Sequence, residues 1–282
     1  MTQPSTSTRP HSSAIKALTV FVEGVGLLGP GLPDWAQSVP VLSGLAAYQT
    51  QRTVLPLPMA LPPAERRRAG AVVKVSLAVG QEAVTHSGHQ AAALASVFSS
   101  SSGDGINCHE ICNTLASSDR LISPTRFHNS VHNAPSGYWS ISSGAMASSS
   151  VLCAHDASFS AGLLEAMTLA VVEDTPVLLV TYDTDYPEPL RSVRPIPDTI
   201  GLALVISPQR SPRSCAQITL GGESGATTAA ESAMDNAALE SLRTAVPAAR
   251  GLPLLQAIAK KQTTSVVLAY LDGMQLALEV SP

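Results

Sequence analysis

Short apolar runs alternate with longer segments of helical period along this 282-residue chain. Apolar runs rich in β-branched residues and bounded by polar or glycine-rich breaks indicate strands, whereas apolar residues that recur every three to four positions indicate helices. The first pattern predicts strands over residues 17–22, 91–98, 149–153, 176–182, 199–206 and 216–220. The second predicts helices over residues 64–85, 106–115, 137–146, 158–172, 229–245 and 252–260.

The chain ends in two further apolar runs, residues 265–271 and 274–280, which flank Asp272 and Gly273. Asp-Gly between alternating apolar runs is typical of a two-residue turn and predicts a β-hairpin. Strands and helices alternate up to about residue 207, as a layered α/β sheet requires. We therefore expect a disordered N-terminal tail over residues 1–16 and a single α/β domain over residues 17–282.

Composition and charge narrow the function classes. The chain is 45% hydrophobic, enough for a large core, and its net charge of -4 gives no general attraction to nucleic acid or anionic membranes. The four cysteines lack a dense disulfide pattern, and the polar N-terminus does not resemble a signal peptide. Apolar runs break well before the roughly 18 residues that a membrane span requires. These features predict a cytoplasmic protein without a membrane span.

The segment over residues 122–166 carries the most specific pattern. Ile122, Ser123, Pro124 and Phe127 open it, and Gly162-Leu163-Leu164-Glu165-Ala166 close it. The segment resembles the nucleophile region of β-ketoacyl synthases of the thiolase superfamily, in which an interface helix and a buried strand lead to a cysteine on a tight elbow that opens a helix. The resemblance covers about residues 17–207.

The resemblance implies a thiolase-like, layered α-β-α fold. Residues 17–207 would form one complete half, similar to the N-terminal half of a ketosynthase, and residues 208–282 would form a truncated second half. A complete ketosynthase repeats the first half, whereas this chain leaves room for a few elements only.

The nucleophile itself is missing. Counting back from Glu165 and Ala166 without a gap places Asp156 where the reactive cysteine would be, and Cys153 lies three residues too early. Acyl transfer from a thioester to a carboxylate would make an anhydride, an uphill exchange, and covalent catalysis needs an activated nucleophile with a base nearby. Ketosynthases also use two histidines from their second half, whereas no histidine follows His155 here. We expect no catalysis by this chain alone.

Such a chain resembles the short chain-length-factor subunits of type II polyene pathways, notably aryl polyene synthesis. The resemblance implies a heterodimer with a full-length β-ketoacyl synthase, which would supply the cysteine and histidines, and an acyl carrier protein as the second partner. This chain would shape one wall of the pocket for the growing polyene. No cofactor is implied. The candidate pocket or interface residues are Phe127, His128, Asn129, Ser130, His132, Asn133, Trp139, His155 and Phe159.

Two other functions stay open at this point. One is a stand-alone acyl-transfer or hydrolytic enzyme that uses Cys153 or Ser158 with His155, although neighbours on one turn rarely converge on one substrate atom. The other is a homo-oligomeric scaffold that binds carrier proteins, since a self-dimer could also cover exposed apolar surface.

Two elbow residues also have simple structural interpretations. Asp156 is expected to cap the helix that follows it, because aspartate is a preferred N-cap residue; a polar pocket lining or a hydrogen bond across an interface is the alternative. Cys153 is expected to be a small core residue on a buried strand.

Two groups of arginines are candidates for attracting an acidic carrier protein. Arg66, Arg67 and Arg68 fall near the start of the predicted helix 64–85, where positive charge opposes the helix dipole and therefore suggests a use. Arg191 and Arg194 form the second group.

Three motifs suggest ligands but are incomplete. Cys108 and Cys112 have no second cysteine pair and are expected to take part in helix packing. His128 and His132 have no further ligands at the spacing that structural zinc requires. The glycines from Gly24 to Gly29 lack the helix and acidic residue of a dinucleotide site and predict a tight turn instead. The sequence therefore predicts neither a metal nor a nucleotide.

Overall fold

The computed structural model describes residues 18–221 and 229–282, and the predicted tail over residues 1–16 lies outside them. The strands are β1 Leu18–Leu28, β2 Ala95–Ser99, β3 Ser149–Leu152, β4 Val177–Asp183, β5 Ile200–Ser207, β6 Ala216–Leu220, β7 Thr264–Ala269 and β8 Gln275–Ser281. The helices are α1 Trp35–Leu42, α2 Pro63–Arg68, α3 Ala71–Ser87, α4 Gly105–Ala116, α5 Pro124–His128, α6 Ala134–Ser143, α7 Ser158–Glu173, α8 Leu190–Val193, α9 Ala237–Ala245 and α10 Leu252–Lys260.

One mixed sheet contains all eight strands, in the order β3-β2-β4-β5-β1-β6-β8-β7. β2 runs parallel to β3 and β4, and the remaining neighbours are antiparallel. The long strand β1 joins the two parts of the sheet, because residues 18–22 pair with β6 and residues 21–28 pair with β5. β3 and β7 form the two edges.

Helices cover both faces of the sheet. α3 packs on β1, β4 and β5 on one face, and α7 packs on the same strands and on β2 from the other face. α10 packs on β7 and β8, so the apolar core around α7 continues to the C-terminal strands. The arrangement is α-β-α. The predicted division near residue 207 falls between two strands of one sheet and stays a prediction.

Two predicted helices differ in the structure: one is divided in two, and the other begins later. The segment predicted as one helix over residues 64–85 forms α2 and α3, with extended backbone at Ala69 (ψ 113°) and Gly70 before α3. Glycine has a low helix propensity, which favours a break there. The helix predicted over residues 229–245 begins only at Ala237, where the Asn236 side chain accepts hydrogen bonds from the backbone N–H groups of Ala238 and Leu239.

The predicted turn of the C-terminal hairpin is confirmed. The Met274 N–H donates to the Leu271 carbonyl at 2.8 Å and closes a turn with Asp272 and Gly273 at its centre, although the regular strands end at Ala269 and resume at Gln275. The Tyr270 N–H donates to the Met274 carbonyl, and Gly273 has a φ of +73°, a conformation that favours glycine.

Of the glycines from Gly24 to Gly29, Gly29 begins the predicted tight turn, in which it and Leu32 exchange two backbone hydrogen bonds, whereas Gly24 and Gly26 lie within a strand. β1 continues through Gly24 and Gly26, and a Cβ atom at either position would lie 2.0 Å from a backbone carbonyl oxygen of α3, that of Ala83 or Val79. These glycines let a helix approach the strand closely, which is a common reason for glycine inside a strand.

Candidate functional site

The residues between β3 and α7 form a tight elbow. β3 ends at Leu152, a 3₁₀ turn follows over His155–Ala157, and α7 begins at Ser158. His155 has a φ of +50°, in the left-handed region. That conformation costs a non-glycine residue about 1–2 kcal/mol, so the surrounding contacts must hold the elbow in shape.

Asp156 lies between two arginines at this elbow. Its Oδ1 accepts a hydrogen bond of 2.7 Å from Arg194 Nη2, and its Oδ2 accepts one of 3.1 Å from Arg250 Nη2. The His155 ring also contacts the Arg194 guanidinium. No side chain caps α7, so the predicted helix cap is wrong. The carboxylate is instead shared by two guanidinium groups, which form stronger, charge-assisted hydrogen bonds.

The buried carboxylate of Asp183 stabilises the segments next to the elbow. Asp183, at the end of β4, accepts hydrogen bonds from the N–H and hydroxyl of Ser101 (2.9 and 2.7 Å) and from the Ala248 N–H (2.8 Å). Burial raises the pKa of Asp183 to about 6, although these hydrogen bonds favour the charged form. Asp183 therefore ties the loop after β2 to the 3₁₀ turn that carries Arg250.

The sequence reasoning missed both Asp183 and Arg250. A signal for Asp183 existed, because it ends an otherwise apolar strand. Arg250 has no recognisable motif, and only the packing of Pro247–Gly251 against the elbow brings it to Asp156.

The serine and cysteine of the elbow form hydrogen bonds with backbone groups. The buried Ser158 hydroxyl lies 2.7 Å from the His155 carbonyl and 3.1 Å from the Ser100 carbonyl, and it accepts the Ala154 N–H. The Cys153 thiol donates to the Ser101 carbonyl at 2.9 Å. Since the His155 ring points to Arg194, it does not activate either group in this arrangement.

Cys153 is exposed, so its predicted place in the core is wrong. The preceding strand, β3, was expected to be buried, but it forms the edge of the sheet and none of its residues is fully buried.

A cavity of about 940 Å³ opens beside the elbow. Its polar lining includes His155, Asp156, Glu231, Arg250, Tyr270 and Asp272. A pocket with these groups can bind a polar ligand, but neither the Cys153 thiol nor the Ser158 hydroxyl lines it.

Several predicted pocket or interface residues lie at the surface before β3. Phe127 is 69% exposed, and the exposed His128 ring makes an edge contact with Tyr138 at 6.2 Å between centroids. Ser130 and Asn133 are also exposed, and the Ser130 hydroxyl donates to the Phe127 carbonyl. These side chains are available to a partner.

His132 and Asn129 are more enclosed. His132 Nε2 lies 3.4 Å from the Ser100 hydroxyl, and burial lowers the pKa of this histidine. The Asn129 side chain donates to the Arg68 carbonyl at 2.8 Å and accepts the Tyr138 hydroxyl at 3.1 Å, so Asn129 fastens the residues after α5 to α2 and α6.

Two pocket candidates belong to the protein core instead. Trp139 is 1% exposed and packs against Phe98 and Gly80, between α6 and α3. Phe159 is also 1% exposed and packs against Gly251. In this chain neither ring faces a cavity near the elbow, because both fill the space between a helix and its neighbours.

The first arginine group ends a helix. Arg66, Arg67 and Arg68 form the last turn of α2, where positive charge is favourable, so the predicted conflict with a helix dipole is wrong. Arg66 donates to the carbonyls of Met59 and Leu61, and Arg68 lies 3.4 Å from Glu65, whereas Arg67 is exposed.

The second arginine group divides between the surface and the elbow. Arg191 is exposed on α8, whereas Arg194 forms the ion pair with Asp156. Arg194 therefore does not belong to a solvated basic face.

Neither a metal cluster nor a membrane span is found in residues 18–221 and 229–282. No three or more His, Cys, Asp or Glu side chains there are placed to hold a metal together. No helix of this part of the chain is both long and apolar enough to cross a lipid bilayer.

The edge strand β3, the elbow that carries Asp156 and the helix α7 on a mixed α/β sheet are arranged as the resemblance to the ketosynthases implies. The chain belongs to the family described as "Beta-ketoacyl synthase, N-terminal domain", which it matches over residues 38–269. No curated protein sequence matches it significantly.

Three solved structures illustrate the fold. One is a ketosynthase (ApeO) in complex with its chain length factor (ApeC) from Xenorhabdus doucetiae, at a TM-score of 0.67 and 22% identity over 93% of this chain and 99% of that chain. Another is a type II acyl-carrier protein in complex with its ketosynthase (AntDE:AntF), at a TM-score of 0.71 and 10% identity, with the same coverage. The third is the ishigamide ketosynthase/chain length factor, at a TM-score of 0.65 and 12% identity over 93% of this chain and 98% of that chain.

These likenesses confirm the fold predicted from the sequence, a thiolase-like α/β fold. The resemblance to the β-ketoacyl synthases is confirmed by the family match.

Proposed function

We propose that this chain is a non-catalytic chain-length-factor subunit. It pairs with a full-length β-ketoacyl synthase, here called the companion, and shapes the pocket for a growing polyene chain on an acyl carrier protein. One observation carries the proposal: the elbow that holds the nucleophile in the family carries Asp156, and its carboxylate is bound by Arg194 and Arg250.

The chemistry at the elbow supports the non-catalytic assignment. A carboxylate held by two guanidinium groups is a poor nucleophile, and its acyl product would be an anhydride. No histidine follows His155 in the sequence, so the C-terminal part supplies no imidazole as a base. The companion would therefore supply all the groups that react.

Exposed apolar residues before β3 support a protein partner. The exposed large apolar side chains of this segment are Ile106, Leu115, Leu121, Phe127, Val131, Ile141 and Met146. Exposed apolar surface on this scale often marks an association site.

The edge of the sheet next to this segment offers backbone hydrogen bonds. The carbonyls of Ser148 and Leu152 accept backbone hydrogen bonds from β2 and the residue after it. Because alternate residues of a strand direct their backbone N–H and C=O groups to opposite sides, those of Ser149 and Val151 point away from β2, towards the open edge. At the opposite edge, by contrast, Ser232 forms two hydrogen bonds with Val267 of β7. We propose that the companion covers the edge at β3.

The product pocket would then be completed at this interface. Phe127 is exposed in the single chain, so it can form a pocket wall only against another surface. We propose Phe127, His128 and His132 as pocket residues. Trp139 and Phe159 support the fold instead, because they are buried.

We propose that fewer arginines attract the carrier protein than the sequence indicated. Arg66 and Arg68 have partners within the chain, which leaves Arg67 and Arg191 as the exposed candidates. Charge reversal of either should slow carrier-dependent turnover by the complex at low salt more than at high salt, since screening weakens steering. Equal rates at low salt would exclude that arginine.

The central experiment asks which chain becomes acylated. The chain is co-expressed with a full-length β-ketoacyl synthase as the companion, the complex is loaded from an acyl carrier protein, and the mass of each chain is measured by intact mass spectrometry. We expect an acyl adduct on the companion alone. An adduct on this chain, or condensation by this chain purified alone, would overturn the proposal in favour of a stand-alone enzyme.

A matched pair of variants tests the interface. Phe127→Glu places a charge on the proposed contact, and Val172→Glu places one on a similarly exposed apolar residue of α7 (72% exposed). We expect Phe127→Glu to weaken association with the companion at least about 10-fold, since this corresponds to only about 1.4 kcal/mol, and Val172→Glu to leave it unchanged. A stable self-dimer without affinity for the companion would instead support a homo-oligomeric scaffold.

A further inference from the structure

Two cysteines lie on one exposed face of α4. Cys108 and Cys112 are four residues apart, so the helical period places them one above the other. Both are exposed. The expectation that they take part in helix packing is therefore wrong, and their side chains are open to a ligand.

The two thiols lie close together but are poorly placed for a disulfide. Burial raises the pKa of Cys108, and the neighbouring Cys112 acts in the same direction. Residues four apart on a helix have Cβ atoms about 5–6 Å apart. A disulfide requires about 3.5–4.5 Å, so bonding the sulfurs would distort the helix.

We propose that Cys108 and Cys112 form a two-thiolate site for a soft monovalent cation, with Cu(I) as the ion that fits best. Thiolates select soft ions such as Cu(I), and a monovalent d¹⁰ ion is satisfied by two opposed sulfur ligands. An ion between two sulfurs also bridges a gap that a direct bond cannot.

The surroundings argue against other metals. Structural zinc requires four ligands, and residues 18–221 and 229–282 contain no group of three or more suitable side chains. Neighbouring candidates on α4 are engaged elsewhere: His109 Nε2 bonds to the Asn113 amide at 2.9 Å, and Glu110 lies 3.2 Å from Arg126. The two cysteine sulfurs are therefore the side-chain donors that this site offers to a metal ion.

Binding is balanced without a change of oxidation state. Two S–H bonds break, two Cu–S bonds form, and two protons leave to the solvent. Copper remains Cu(I), and the site changes from neutral to a net charge of -1. The inference does not depend on the proposed function of the chain.

The test measures Cu(I) affinity of the 282-residue chain under anaerobic conditions, by competition with a chromogenic Cu(I) chelator. We expect one Cu(I) per chain in the wild type and at least a 100-fold weaker affinity in Cys108→Ser and Cys112→Ser. Cys153→Ser and Cys215→Ser keep the thiol count of those variants and should bind as the wild type does.

A second variant separates geometry from cysteine content. Cys112→Ser combined with Asn113→Cys keeps four thiols but turns one of them by about 100° around the helix. We expect this variant to lose the site as Cys112→Ser does. Wild-type affinity in the shifted variant or in either serine variant of α4, or no binding by the wild type, would overturn the proposal.

Discussion

Replacement of the elbow acid by its amide separates a structural role from a catalytic one. In Asp156→Asn the side chain keeps its shape and one oxygen atom but loses the charge that two arginines share. If the chain is non-catalytic, the change should cost some stability and leave carbon–carbon bond formation by the complex nearly intact.

The structure limits the size of the stability loss. The Asp156 side chain is 44% exposed, so water and salt screen both ion pairs, and pairs of this kind contribute about 0.2–1 kcal/mol each. The two contacts together should therefore lower the free energy of unfolding by about 0.4–2 kcal/mol. For a chain of this size the midpoint of thermal unfolding should fall by about 1–8 °C.

The assay uses the purified complex with the companion. Calorimetry gives the unfolding midpoint, and turnover with carrier-bound substrates gives the rate, which should stay within about 3-fold of wild type because 1.4 kcal/mol of lost transition-state stabilisation would cost tenfold. Glu165→Gln, the same change at an exposed carboxylate of α7, is the control and should alter neither quantity. A loss of about 100-fold or more in rate with the complex intact would refute the reasoning and assign Asp156 a part in catalysis.

Three further predictions concern the support of the site. Asp183 has a pKa of about 6 in the folded chain against an ordinary value of 3.8, so its contribution to stability is full below pH 4 and is lost as the pH rises through 6. In urea unfolding between pH 4 and 7, Asp183→Asn should therefore flatten the decline in the free energy of unfolding. An unchanged slope would contradict the raised pKa of Asp183. Gly251→Ala puts a Cβ atom 2.3 Å from the Phe159 ring and should lower the free energy of unfolding by about 1–3 kcal/mol, measured by thermal unfolding. Gly137→Ala, whose Cβ atom would have nothing within 4 Å, should not destabilise the protein. Equal unfolding midpoints of the two variants would exclude the clash. His89→Ala removes the imidazole that lies 2.5 Å from the buried carboxylate of Glu23 and should lower the free energy of unfolding by about 1–3 kcal/mol. An unchanged free energy in urea unfolding would refute this expectation.

Local pattern predicted most elements of this fold. The strands β4, β5 and β6 and the helices α4, α7 and α10 occur close to the expected bounds, whereas β2 begins four residues later than predicted because residues 91–93 form a 3₁₀ turn. One local signal was missed. α1 begins where the Asp34 side chain caps the helix by accepting the Gln37 N–H, directly after two prolines that favour a loop.

The candidate site was predicted in part. The motif of residues 122–166 located the elbow between β3 and α7, where Asp156 lies, and its equivalence with the thiol of the family stays a prediction. Spacing alone could not show that Trp139 and Phe159 face the core, since an aromatic residue on a helix suits a pocket wall and a packed interior equally well.

The amino-acid sequence by itself determined the family and the α/β class, and it predicts that the nucleophile is missing, because these inferences depend on residue types at short spacing. Only the tertiary structure decided what the elbow acid contacts. Arg194 and Arg250 are 38 and 94 residues from Asp156, and Arg250 reaches it because the turn Pro247–Gly251 packs against α7 and the elbow. Contacts across such distances depend on how layers pack, which no local pattern contains.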